Sequence, residues 1–261
     1  MRGMAKILPY MVGLFIGWMF FHPPASLKAF GPYSYLMMFG LGLLFLLGFV
    51  MISINNSLPK SLALTQSNTA RMSEISMQRI QEMEAAGFKR LQDYPVLVGL
   101  TPPAYLVPFI HEPARTYATV FQTTTIPPVS SFDMFSYFQG IEGGLTTSPT
   151  PRGGVLPLLR YSFRQIFPGQ SIAYLFERHK EAIAFLKSNH MECRAITAEN
   201  FDADYKAAFA RLRSAFKSNP VGFAITALWR SFGVKNPHMG PISTQPDTQQ
   251  KLRDISTGKR S

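Results

Sequence analysis

Hydrophobic and polar positions divide the chain into an apolar start, a mixed middle and a polar end. Ile7–Phe21 and Tyr33–Ile54 are almost wholly apolar, and no Asp or Glu occurs before Glu74. The second run carries no charge and matches the about 20 residues that cross a bilayer core as a helix. Tyr33 and Tyr35 stand at its start, where amphipathic rings favour a headgroup level; Asn55, Asn56, Ser57 and Pro59 end it. The first run is shorter and contains Pro9, so it crosses only with the help of Met4, Ala5 and the stem of Lys6. Arg2 and Lys6 ahead of it also resemble the start of a signal peptide, but His22-Pro23-Pro24-Ala25-Ser26 offers no small-x-small cleavage site. The pattern therefore predicts an uncleaved two-helix transmembrane hairpin over residues 1–54. Its helices run over about 7–21 and 33–54. Gly13 and Gly17 form a Gly-x-x-x-Gly pair that lets helix backbones approach closely. That pair suits packing of the first helix on the second, or a homodimer through the first helix.

Residues 55–66 read as a linker, and the period then becomes helical. Met72, Ile75 and Met83 recur from about Ser67 to Ala86 with Arg71, Glu74, Arg79 and Glu82 between them, and Gly87 marks the stop. The period next changes to two. Phe88–Leu100, interrupted by Pro95, Ala104–His111, Arg115–Thr124, Ser131–Phe138 and Leu145–Ser148 read as short strands joined by turns. Helices return when Ser171 caps a segment to about Ser188, whose apolar stripe includes Ile172, Leu175, Phe176, His179, Ile183 and Leu186. Thr197 can cap another, with Phe201, Tyr205, Phe209, Leu212 and Phe216 on one face; Pro220 separates it from an amphipathic Val221–Phe232. The expected fold is a membrane-anchored α+β protein. In it the hairpin precedes a domain over 67–232, a small antiparallel β-meander with helices packed on one face. Residues 233–261, polar and containing Pro237, Pro241 and Pro246, read as a disordered tail.

Charge adds a location. The 261 residues hold 26 Lys plus Arg against 15 Asp plus Glu, a net +11. Arg2, Lys6, Lys60 and Arg71 flank the hairpin, whereas its loop has only Lys28, so both termini are expected on the cytoplasmic side of a membrane, most simply a bacterial inner membrane. A basic domain there is drawn to anionic lipid. Nucleic acid is the other usual partner of a basic surface, but topology alone explains basic membrane proteins, so nucleic acid is disfavoured. Cys193 is the single cysteine, which excludes an intrachain disulfide.

Candidate chemistry is sparse. His111-Glu112 at a strand end could set a base beside an acid, although polar residues at a hairpin tip explain the pair equally. His179 on an apolar stripe reads as a hydrogen-bonded core histidine. His190 and Cys193 lack the second pair of ligands that a structural zinc requires, and no metal or cofactor is expected. Gly140, Gly143, Gly144, Gly153 and Gly154 surround Thr146, Thr147, Ser148 and Arg152, but Pro149, Pro151 and Pro157 replace the helix start that a phosphate cradle needs. No serine lies in a Gly-x-Ser-x-Gly elbow. Lys206, Arg211, Arg213 and Lys217 share a helix with Phe201, Phe209 and Phe216, while Trp229 and Arg230 lie on the next. Such helices can hold an anion or lie on a lipid surface, or complete a core with their cations solvated.

The expected role is a non-enzymatic interaction or sensory module, held on the cytoplasmic face of the membrane for an unnamed protein partner. The alternatives are a membrane-associated, hydrolase-like enzyme using His111 and Glu112, and a lipid- or nucleic-acid-binding module using the basic C-terminal helices.

Overall fold

Alternation of side chains along four of the expected strands builds the centre of the molecule. β3 (Ala104–His111), β4 (Thr116–Thr123), β5 (Ser130–Tyr137) and β6 (Gly144–Ser148) follow one another as an antiparallel meander. The computed structural model describes residues 33–58, 72–92, 94–96, 104–123, 127–150, 159–231 and 238–257. The chain divides into two units, Met1–Ser53 and Ile54–Ser261, and the sheet belongs to the second. Two short strands, β1 (Lys89–Arg90) and β2 (Tyr94–Val96), pair with successive parts of β3. They replace the single strand expected over Phe88–Leu100. At the far edge β7 (Phe163–Ile166) joins β6 in parallel, Leu145 opposite Phe163 and Thr146 opposite Arg164. The sheet is thus mixed, with order β1-β3-β4-β5-β6-β7 and β2 beside β3.

Helices cover both faces, not one. On the first face Val107, Phe109, Ala118, Val120, Phe132 and Met134 pack with Ile80 and Met83 of α2 (Glu74–Ala85) and with Ile172, Leu175 and Phe176 of α3 (Ile172–Ser188). Ser73 caps α2 by accepting from Ser76 N at 3.3 Å, and Ser171 caps α3 by accepting from Tyr174 N at 3.2 Å. Each such cap contributes about 1 kcal/mol. On the second face Leu106, Ile110 and Tyr117 pack with Ile196 and with Phe201 of α4 (Phe201–Ser218). Tyr205 stacks on Phe201 with ring centroids 5.3 Å apart, and Phe209 follows at 5.1 Å, so one aromatic stripe seats α4 on the sheet. Thr197 does not begin this helix; its Oγ1 accepts from Asn200 N at 3.3 Å in the preceding turn. Pro220 is the first residue of α5 (Pro220–Ser231), a position that suits a residue without N–H. Phe223, Ala224 and Ala227 of α5 are buried while Val221 and Ile225 are exposed.

The polar end is ordered over residues 238–257, against the expectation of a disordered tail. A 3-10 turn (Ile242–Thr244) leads into α6 (Pro246–Ser256). Ile242 and Leu252 pack with Phe138, Leu145 and Phe163 and with Ala182 and Leu186 of α3. The Gln245 amide donates to the carbonyls of Arg164 at 2.9 Å and Gly240 at 3.1 Å, which pins this segment to β7.

The membrane anchor requires correction. Tyr33–Ser57 forms a 25-residue helix, α1, but among the described residues no helix is long and apolar enough to cross a membrane. Ile7–Phe21, with Gly13 and Gly17, lies outside the described residues. The transmembrane hairpin, the integral-membrane role and the inner-membrane location with cytoplasmic termini all rested on that span and fall with it. What stands of the fold class is a mixed sheet with flanking helices.

Candidate functional site

The second face of the sheet is covered only in part, and the gap is a cavity of about 260 Å³ between β4–β7 and α4. Register determines its floor. Thr119 stands opposite Asp133, Phe135 opposite Thr146, and Thr146 opposite Arg164, so these side chains project to one side of adjacent strands. Helical spacing supplies its roof, where Tyr205, Phe209 and Leu212 face the sheet from α4 beside Arg211. Glu142, Gly143, Leu159 and Ser162 close one end. Glu142, Gly143, Leu159 and Arg211 also line an adjoining groove of about 590 Å³ with Arg160, Tyr161 and Ser214. The glycines of the Gly-rich stretch serve this close approach. A Cβ on Gly143 would collide with the Tyr161 carbonyl, and one on Gly144 would lie 2.6 Å from the Ser136 carbonyl.

The polar groups of the cavity are poised. Burial pushes the Asp133 carboxyl up to about 6; a hydrogen bond from Ser148 and the charge of Arg164 act against that rise. Burial likewise raises the Tyr205 and Tyr137 hydroxyls, which are therefore neutral donors at pH 7. The Tyr137 hydroxyl reaches the Asp204 carbonyl at 3.4 Å. The Nε of Arg211 is buried and has no hydrogen-bond partner among the described residues. Buried guanidinium donors are nearly always paired, and leaving one unpaired costs about 1–3 kcal/mol. A titratable carboxyl, an unsatisfied guanidinium donor and aromatic walls around one cavity are the composition of a small-molecule site.

The residues singled out in the sequence scatter. Arg211 is in this cavity. Arg213, two positions on, donates to the Leu58 carbonyl at 2.6 Å, and Lys206 pairs with Asp202 at 2.7 Å; both are structural contacts. Lys217 is exposed in the last turn of α4, and the Arg230 side chain lies outside the described residues. His111 and Glu112 do not form an acid–base pair. The His111 Nδ1 accepts from Ala114 N at 3.1 Å, its ring lies against Phe88 and Phe176, and burial pulls its pKa down; Glu112 is exposed.

His179 is fully buried. Its Nε2 lies 3.0 Å from Ser136 Oγ and its Nδ1 2.7 Å from Thr147 Oγ1. Ser136 donates to the Arg115 carbonyl at 2.9 Å, which leaves its oxygen to accept from Nε2–H, while the Thr147 hydroxyl donates to Nδ1. Burial holds this imidazole neutral, its pKa pulled down to about 3. The Ser–His pair is therefore a closed core network with no access for a substrate. Cys193 is buried, its thiol pushed up to about 11 by burial, and no cluster of His, Cys, Asp or Glu among the described residues could hold a metal.

Sequence reasoning missed Asp133 and Arg164. Asp133 stands in Ser-Ser-Phe-Asp-Met-Phe, where alternation reads it as a solvent-facing position, and β7 was not recognised as a strand. The available signal was Arg211, a cation one position from the apolar face of α4. No protein-family model matches the chain, and neither a curated protein nor a solved structure does.

Proposed function

We propose that this protein is a ligand-binding module whose cavity between the sheet and α4 receives a small organic acid. The observation that carries the reading is Arg211, which lines the cavity and whose buried Nε–H has no hydrogen-bond partner among the described residues. A carboxylate offers that donor its missing acceptor and, as a charge-assisted bond, gains about twice a neutral one. Arg164 on the floor adds a second positive charge on the same side. The body of the ligand lies among Phe135, Tyr137 and Phe209, and a hydroxyl or amine on it donates to Asp133. The cavity volume fits a molecule the size of a single aromatic ring with one or two substituents.

The test is thermal unfolding of the full chain with a panel of small carboxylates, benzoate and phenylacetate among them, beside uncharged benzamide. A ligand at 100 times its Kd stabilises by about 2.7 kcal/mol. The reading predicts that acids raise the midpoint, that the amide does not, and that Arg211→Gln abolishes the rise without lowering the ligand-free midpoint. Equal responses to acids and amides, or an unchanged response in Arg211→Gln, would remove it.

A further inference from the structure

A second cavity, of about 440 Å³, opens at the β3–β4 hairpin on the opposite side of the sheet from α4, and positive charge dominates its lining. Arg115, Lys180 and Lys187 surround it with His111, Cys193 and the single acid Glu192. Lys180 and Lys187 are seven positions apart on α3, so they rise on one face two turns apart. Lys180 is shared with Glu177 at 2.8 Å. Among the described residues no carboxylate forms an ion pair with Arg115 or Lys187.

One residue of this lining, Arg115, also has an unusual backbone, and His190, just past the end of α3, has another. Arg115 has φ 49° and His190 has φ 63°, the two non-glycine residues with positive φ among those described. Arg115 closes the hairpin turn at a position that glycine or asparagine normally fills. His190 lies between Lys187 and Glu192 at the end of α3, where glycine is again usual. Strained residues persist where the surroundings fix them, and they concentrate at binding sites. Here the surroundings are explicit. Arg115 N donates to the Glu112 carbonyl at 2.9 Å, and its own carbonyl accepts from Ser136 of the buried His179 network at 2.9 Å. One guanidinium nitrogen donates to the Cys193 carbonyl at 2.6 Å. The guanidinium is thus aimed and anchored through one nitrogen, while its other edge remains for a ligand.

We propose that this pocket binds the phosphoryl group of a small, soluble phosphomonoester. A phosphate dianion presents acceptor oxygens to Arg115 and Lys187, which arrive from two elements, with Lys180 nearby sharing its charge with Glu177, and the planar fork of Arg115 matches two oxygens at once. The organic part lies over Pro113, Ala114 and Ile183.

The test is isothermal titration of the full chain, at constant ionic strength, with inorganic phosphate, phenyl phosphate and benzoate. Wild type, Arg115→Gly, Lys187→Gln and Arg211→Gln are compared, with circular dichroism and thermal midpoints recorded for each. Phenyl phosphate is expected to bind, with benzoate at least about tenfold weaker at this site. Arg115→Gly should weaken phenyl phosphate about tenfold or more, the loss of a charge-assisted contact. Its midpoint should stay equal or rise, because glycine accepts the left-handed turn without strain. Lys187→Gln, at an exposed position, should weaken binding by a smaller factor, and Arg211→Gln, which removes any occupancy of the cavity under α4, should leave the Arg115-dependent binding in place. Absence of phenyl phosphate binding at millimolar concentration would overturn the proposal, as would equal affinity in Arg115→Gly. Binding confined to phosphatidic acid vesicles would overturn the assignment to a soluble ligand.

Discussion

His179, buried in the core, and Asp133, half-buried on the face under α4, give the fold opposite responses to acid. His179 is neutral in the fold, pulled down from 6.5 to about 3. As pH falls between those values the unfolded chain takes up a proton that the folded chain refuses, so stability falls by about 1.4 kcal/mol per pH unit. Asp133 is raised from 3.8 to about 6, so between those values the folded chain takes up the proton first. Stability therefore rises as pH falls through that window, by up to about 3 kcal/mol in all. Between pH 6 and 4 the two slopes offset, and urea unfolding of the wild type should vary little there. Asp133→Asn should be more stable at pH 7, by about 1–3 kcal/mol, and should lose stability steeply from pH 6 to 4. Parallel pH curves for the two proteins would contradict the placement of Asp133. At this scale the sequence was half legible. His179 lies on an apolar stripe and could be read as core; Asp133 lies on an alternating strand, and its burial depends on α4, which arrives about seventy residues later in the chain.

Elements with a strong period were legible almost to the residue. β3 was expected over the residues it occupies, and β4, β5, β6 and α3 fell within one or two positions of their expected ends. Failures occurred where a segment is short or its partners are distant. β7 has four residues, and its pairing with β6 is parallel, which no local turn encodes. α6 is polar on most of its surface and presents only Thr248 and Leu252 as buried residues, too little apolar character to outweigh its prolines and glutamines. The physical content of α6 is testable. Leu252→Ala removes a side chain packed with Phe163 and Leu186 and should cost about 2–4 kcal/mol in chemical denaturation. A change within about 0.5 kcal/mol, as expected of a disordered tail, would show that residues 246–256 do not dock.

For the whole molecule, hydropathy was the weakest guide and topology the most useful. An apolar run of the right length predicts a helix, and a helix forms over Tyr33–Ser57; the same run did not establish a span, because periodicity and hydropathy alone do not say what surrounds a helix. Basic charge suggested attraction to anionic lipid through the C-terminal helices, whereas the fold distributes those cations. Arg213 is used on the Leu58 carbonyl, Lys206 on Asp202, Arg211 in the cavity under α4, and Arg115 with Lys187 at the hairpin on the other side of the sheet. The sheet with helices on both faces thus carries two separate recesses, one lined by aromatic rings with Asp133, Glu142, Arg164 and Arg211, and one mainly cationic at a strained turn. The central claim is that the recess under α4 takes an organic acid. It is tested most directly by nuclear magnetic resonance of the isotope-labelled full chain during titration with benzoate. The account predicts saturable amide shifts concentrated at Thr119, Asp133, Thr146, Tyr205 and Arg211. Shifts confined to residues 111–116, or no saturable shift with benzoate or phenylacetate, would contradict it.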